Sequence, residues 1–213
     1  MQFARIIGTW LHEMENGQKN IGRIFRNPFL EILTYTSLSV TLVTYPTIIL
    51  AFAWMGYYFT DIDPVLSLII LLAGIFSWTL FEYFAHRYIF HWASESELAK
   101  RITYILHGIH HEFPRAEERV FMPPLPGILI SASVFVVFRM VMGGWAFPFM
   151  AGFMLGYLIY CSIHYMMHKT RVPKFLRRLW IHHNLHHYRY HDKAFGVSNL
   201  LWDRVFGTMP PKE

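Results

Sequence analysis

Residues 65–91 of this 213-residue chain read VLSLIILLAGIFSWTLFEYFAHRYIFH. Val65 to Phe84 carries a single charge, Glu82, near its end. At 1.5 Å per residue the stretch is long enough for the roughly 30 Å hydrocarbon core of a bilayer. It runs straight into His86 and His91. An apolar span ending in imidazoles reads as a membrane helix that delivers metal-ligand side chains to one membrane edge.

The same reading extends outward. Asp61 and Asp63 break the apolar pattern upstream, and Pro64 suits the first turn of a helix. Before them, Ile32 to Phe59 forms another span, with a kink expected at Pro46. Downstream, Gly127 to Met142 is a shorter span, Gly143-Gly144 a tight connection, and Trp145 to Ile163 a further span ending at His164. Glu95 to Leu106 has helical character, and Pro173 to Tyr190 reads as a basic, aromatic helix at the interface. Phe3 to Leu11 is amphipathic enough to lie on the membrane surface, so residues 1–28 read as an interfacial segment with His12 near headgroups. The expected fold is an all-α membrane protein: one domain over 1–213, about four transmembrane helices, and a cytoplasmic helical cap.

Composition agrees. Charged residues make up 15% and hydrophobic residues 54%, against roughly a quarter charged in soluble domains. The single cysteine, Cys161, excludes an internal disulfide and Cys-rich zinc or iron–sulfur sites. The net charge of +5 is too diffuse to argue for nucleic acid; basic residues at span ends meet anionic headgroups instead. The first residues lack a small-residue cleavage site and do not read as a signal peptide. Arg87, Lys100, Arg101, Arg115 and Arg119 lie between the second and third spans, and Lys169, Arg171, Lys174, Arg177 and Arg178 follow the fourth. The short opposite connections, 57–64 and 142–148, hold no Lys or Arg. The positive-inside rule therefore places both termini and the histidines in the cytoplasm.

Ten of the thirteen histidines fall in four clusters: His86 and His91; His107, His110 and His111; His164 and His168; His183, His186 and His187. His164 and His168 share a helical face, and each HxxHH trio is expected to project as one imidazole patch. His86 and His91 are five apart, so the helix is expected to end or bend near Arg87, or the pair to serve different ions. Ten imidazoles exceed what one ion can use and suit two ions with about five each. No carboxylate lies inside the clusters, and Glu112 only follows the second. Closed structural zinc sites usually include Cys, and carboxylate-bridged iron is a poor match. A histidine-rich dinuclear site in a membrane suits iron and O₂ on an apolar substrate, although composition alone does not choose iron over zinc. Glu82 is placed either to orient a ligand imidazole or to pair with Arg87 or Arg119; Asp203 and Asn199 are similar candidates. Tyr160, Tyr165 and Tyr188 line an entrance or anchor the interface. Phe76, Phe81, Phe84, Met150, Phe153 and Met154 are candidates for an acyl slot or for ordinary packing.

Together the four clusters, Phe121-Met122-Pro123-Pro124 and Phe195-Gly196-Val197-Ser198 resemble the membrane fatty acid hydroxylase superfamily, particularly its fatty acid/ceramide 2-hydroxylase branch, over about Leu80 to Gly207. The resemblance implies a di-metal centre held by those ten histidines, working with two Fe ions, with zinc able to occupy the site in isolated protein. It implies O₂-dependent hydroxylation at carbon 2 of a long acyl chain, free or in a ceramide-like lipid. His182 and His191 match no ligand position. Relatives often carry a fused cytochrome b5 domain, for which this chain has no room, so electrons are expected from a separate electron-transfer protein. Many relatives also have Asp where this chain has Cys161. The alternatives are a sphingoid-base, sterol or carotenoid oxidase of the same superfamily, and a zinc-binding or metal-transport protein. Transport sites usually lie near the bilayer midplane, unlike these clusters.

Overall fold

The computed structural model describes residues 22–211. Its helices are α1 (Pro28–Ile32), α2 (Leu38–Phe59), α3 (Pro64–Phe84), α4 (Glu97–Thr103), α5 (Ile109–Glu112), α6 (Pro124–Met142), α7 (Ala146–Met167), α8 (Arg177–Tyr188) and α9 (Leu201–Val205). No strand occurs among the described residues. The amphipathic segment expected over Phe3 to Leu11, and His12, lie outside them.

Helix starts follow the local chemistry. Asn27, Ser37 and Asp63 accept hydrogen bonds from free N–H groups of the first turns of α1, α2 and α3. Pro64 occupies the first position of α3, where its missing N–H costs nothing. The first span begins at Leu38 rather than Ile32, because Ile32 closes the separate one-turn α1. Helix α2 runs through Pro46. Helix α7 continues past Ile163 to Met167, so His164 stands within its last turn.

Three segments are long and apolar enough to cross a membrane: 38–59, 64–90 and 117–167, the last containing both α6 and α7. Leu50, Leu72, Val137 and Val141 remain exposed on their outer faces, as lipid-facing residues do. This is a membrane protein.

Its core lies where α3 and α2 pack on α7. A Cβ added to Gly152 would stand 1.9 Å from the Leu71 carbonyl oxygen, and one added to Gly74 2.2 Å from that of Phe149. Small residues let the two backbones touch, which is how membrane helices associate when burial drives nothing. Tyr45, Trp78, Phe153 and Tyr157 fill the space beside this contact.

A buried ion pair fastens the segment before α2 onto the bundle. Arg119 Nη2 meets Glu31 Oε1 at 2.8 Å, with the two side chains 1% and 2% exposed. Glu31 also accepts from the Ile24 and Phe25 N–H groups and the Tyr35 hydroxyl, and the guanidinium lies 3.9 Å from the Tyr35 ring centre.

Candidate metal centre

Helix α3 does not end before its histidines. It widens into a π turn, Ala85–Phe90, in which the His91 N–H meets the His86 carbonyl at 3.2 Å. A π turn bonds residue i to i+5, so two histidines five apart come to one face. The regular α-helix ends just before Arg87, as expected, and the alternative that the pair serves different ions is corrected by this turn. A second π turn, Tyr104–Gly108, leads His107 into α5. Such turns recur at functional sites.

The ten histidines form two groups. His86, His91, His107, His111 and His186 make the first; His110, His164, His168, His183 and His187 make the second. Within each group one ligand nitrogen per residue lies within 4.8 Å of all the others. The expectation that each HxxHH trio acts as one patch is corrected. His107 and His111 join the first group while His110 joins the second; His183 and His187 join the second while His186 joins the first. The groups abut where the His111 and His187 rings stack, with centroids 4.1 Å apart.

These side chains fit two metal ions. His168 Nε2 lies 3.0 Å from both His164 Nε2 and His183 Nε2, and one proton cannot serve three nitrogens. In the first group, His86 Nδ1 donates to the Phe195 carbonyl at 2.6 Å, leaving its Nε2 lone pair 3.0 Å from His107 Nε2. Likewise His186 Nδ1 donates to the Lys193 carbonyl at 2.7 Å while its Nε2 faces His91 Nε2 at 3.0 Å. Both ring nitrogens of His110 and His187 are buried without a partner among the described residues. Buried orphan groups each cost roughly 1–3 kcal/mol, and a cation at the centre of each group turns the converging lone pairs into bonds. Five imidazoles suit iron, zinc, copper or nickel.

Electrostatics hold the ligands in the binding form. Burial pushes His91 and His168 down to about 4. Burial and then neighbouring imidazoles take His186 down to about 3 and His111 to about 2. The same causes, in the same order, hold His107, His110, His183 and His187 well below their ordinary value. All are neutral at pH 7, as metal binding requires.

The two carboxylates act at one remove. Among the described residues Glu82 hydrogen-bonds no histidine and pairs with neither Arg87 nor Arg119: its Oε1 accepts from the Val197 and Ser198 N–H groups, both at 2.8 Å, and its Oε2 from the Ser198 hydroxyl. Asp203 accepts from the Phe195 N–H at 2.9 Å, the Gly196 N–H at 2.7 Å, the Thr208 hydroxyl at 2.7 Å and His182 Nε2 at 3.0 Å. Burial works against its charge, yet the His182, Thr208 and Gly196 bonds hold Asp203 below the usual carboxylate range. Thus His182 orients a carboxylate rather than an ion. His191 is exposed, with its ring 5.7 Å from that of His111, and belongs to neither group. Asn199 caps the turn before α9 through the Leu201 N–H. The Lys193 and Phe195 carbonyls were invisible to side-chain reasoning, since any residue carries one. Cys161 is buried, and His164 Nδ1 has no hydrogen-bond partner among the described residues.

A cavity of about 330 Å³ adjoins both groups, with His86, His107, His110 and His164 in its wall. The remaining wall is mainly apolar, including Trp78, Phe81, Met150, Phe153 and Met154, with Thr34, Glu82, Arg119 and Ser131 among its polar members. Its size falls within the range of small-ligand sites, about 300–1,000 Å³. Phe76 and Phe84 instead face outward. Tyr160 lines the cavity, Tyr165 bonds Glu117, and Tyr188 is exposed.

Residues 71–208, which span all four histidine clusters and the loop that braces them, match the family model described as fatty acid hydroxylase. The chain belongs to the fatty acid hydroxylase family. Among curated relatives, it is 34% identical over 202 residues to the ceramide very long chain fatty acid hydroxylase of Saccharomyces cerevisiae, covering 93% of this chain and 52% of the relative. It is 32% identical over 207 residues to a dihydroceramide fatty acyl 2-hydroxylase of Arabidopsis thaliana, covering 94% of this chain and 85% of that one. A solved structure of full-length scs7p, with only its hydroxylase domain visible, superposes with a TM-score of 0.80 at 34% identity, covering 88% of this chain and 71% of that one. This member of the family spans about half the length of the yeast relative.

Proposed function

We propose that this chain is an O₂-dependent hydroxylase of long acyl chains, acting at carbon 2 of a fatty acid held in a ceramide-like lipid or free. The observation that carries the reading is the pair of converging five-imidazole groups beside an apolar cavity. The names of the yeast and plant relatives support the same substrate class. Two iron ions, when bound, supply the redox chemistry that activates O₂; zinc has no redox chemistry to offer. His86, His91, His107, His111 and His186 would hold one ion, and His110, His164, His168, His183 and His187 the other.

The protein's own residues supply position and dryness. Trp78, Phe153 and Met154 give an acyl chain an apolar wall. Holding the reacting carbon at a fixed distance supplies regioselectivity. Carbon 2 is one bond from the acyl carbonyl, so its reaction belongs at the edge of the apolar region. His86 and His164 stand at the ends of α3 and α7, at such an edge. The overall reaction puts one oxygen atom into a C–H bond and reduces the other to water, consuming two electrons and two protons. In this reading a separate electron-transfer protein supplies those electrons.

In the same reading the chain crosses the bilayer four times, through α2, α3, α6 and α7. Both termini and a helical cap carrying the histidines then lie in the cytoplasm, as the basic residues direct. The deciding experiment is lipid mass spectrometry under ¹⁸O₂ on membranes expressing this chain, beside His110→Ala and His186→Ala variants. A singly labelled 2-hydroxyacyl lipid absent from both variants supports the reading. Label on a sphingoid base or sterol moves the activity to a sister reaction, and no label from an iron-loaded, reductant-supplied protein refutes it.

A further inference from the structure

The two histidine groups are oriented by different means, a distinction that rests on the two-metal reading above. In the first group, one loop supplies two carbonyls: that of Phe195 to His86 Nδ1 and that of Lys193 to His186 Nδ1. Between these residues Ala194 sits fully buried at φ 60°, a left-handed backbone uncommon for a residue with a side chain. Its N–H is tied to the Thr208 carbonyl at 2.9 Å. The next four N–H groups are all taken by carboxylates, Phe195 and Gly196 by Asp203, Val197 and Ser198 by Glu82. Gly196 has no room for a side chain, since a Cβ there would stand 2.8 Å from Asp203 Oδ2 and 2.2 Å from the Asn199 carbonyl oxygen. Strained backbone persists only where its surroundings over-determine it, and here every hydrogen bond of the loop converges on placing two carbonyls.

A carbonyl bonded to one ring nitrogen fixes the tautomer and so fixes which nitrogen presents its lone pair. The second group lacks this device. The Nδ1 atoms of His110, His164, His183 and His187 are buried without hydrogen-bond partners among the described residues. Those rings are placed by edge-to-face packing on one another, as His164 on His183 and His110 on His168.

We infer that the two metal positions are inequivalent and that Asp203, acting through the 193–198 loop, is a positioning residue for the first position alone. The first position holds its ion with two pre-set imidazoles, His86 and His186, and releases it slowly. The second must select tautomers as it binds and releases its ion faster.

The test is zinc release from the purified full chain, loaded with zinc and challenged with an excess of a colour-forming chelator. The wild-type protein should lose two zinc ions in two phases of one ion each. His168→Ala should abolish the fast phase and His91→Ala the slow one, which assigns the phases to positions. Asp203→Asn should accelerate the slow phase by about 10–100-fold, the usual effect of losing an outer-shell partner, and leave the fast phase unchanged. Glu82→Gln, which loosens the loop from its other end, should act in the same direction and serves if Asp203→Asn does not fold. A single phase for the wild type, or equal acceleration of both phases by these variants, would overturn the inference. A chain that takes up fewer than two zinc ions fails earlier, at the two-metal reading itself.

Discussion

Helices α3 and α7 are joined twice by opposite rules, directly in the middle and through other residues at the end. In the middle they touch backbone to backbone, where Gly74 and Gly152 leave no room for a Cβ. At the end their histidines enter different groups, His86 and His91 the first and His164 and His168 the second, and those groups abut through His111 and His187. Gly74 and His86 are twelve residues apart, about 18 Å along a helix. The first contact is apolar, dry and satisfied by itself; the second is a set of neutral nitrogens that is incomplete without cations. The membrane contact holds α3 and α7 together, and cations would complete the histidine groups to which they lead.

That contrast can be broken at either end. The largest effect should come from removing a ligand: His110→Ala or His186→Ala should cut hydroxylated product more than ~100-fold, beyond the 10–100-fold typical of outer-shell losses, and lower metal content. Ligand loss with full metal content and full product would break the comparison outright.

Acid should act next, and only on the histidine end. His91 and His168 are depressed from 6.5 to about 4 by burial. Above pH 6.5 both folded and unfolded chains keep these imidazoles neutral, and stability is fully present. As the pH falls from 6.5 towards 4, the unfolded chain binds protons that the folded chain refuses, so stability is lost. Thermal unfolding of metal-free protein should show the midpoint falling across that window, and the loaded protein should release metal within it. A midpoint flat from pH 7 to 4 would contradict the buried, neutral set.

The Arg119–Glu31 pair belongs to neither contact and sharpens the comparison as a control. Arg119→Ala leaves a buried carboxylate unpaired and should cost about 3–5 kcal/mol, read as a lower unfolding midpoint with two metals still bound. The smallest effect should come from the glycine contact. Gly152→Ala should cost about 1–3 kcal/mol by overpacking and weaken metal binding at both positions together, because α3 and α7 separate. Weakening at one position alone would show that the helix contact does not set the site.

Much of this was legible in the sequence. Apolar runs gave the long helices to within six residues, since twenty apolar residues have few other uses, and Asp63-Pro64 marked a helix start through capping chemistry. The ten candidate ligands were legible as a set because neutral imidazoles cluster for little else. Their partition was not. It depends on the π turn at Ala85–Phe90, which brings residues five apart to one face, and on each HxxHH trio facing two centres. The route by which Glu82 and Asp203 reach the site was illegible for a related reason: proximity in sequence put Glu82 beside His86, but its carboxylate reaches Val197 and Ser198, more than a hundred residues away. Hydrogen bonds that end on backbone atoms leave no signature in side-chain identity.

The most direct test of the central claim is iron K-edge absorption on anaerobically loaded protein, with iron counted per chain. The account predicts two ions per chain with imidazole nitrogen as their protein ligands, falling to about one in His168→Ala and in His91→Ala. One ion per chain in the wild type, or a shell containing the Cys161 sulfur, would contradict it.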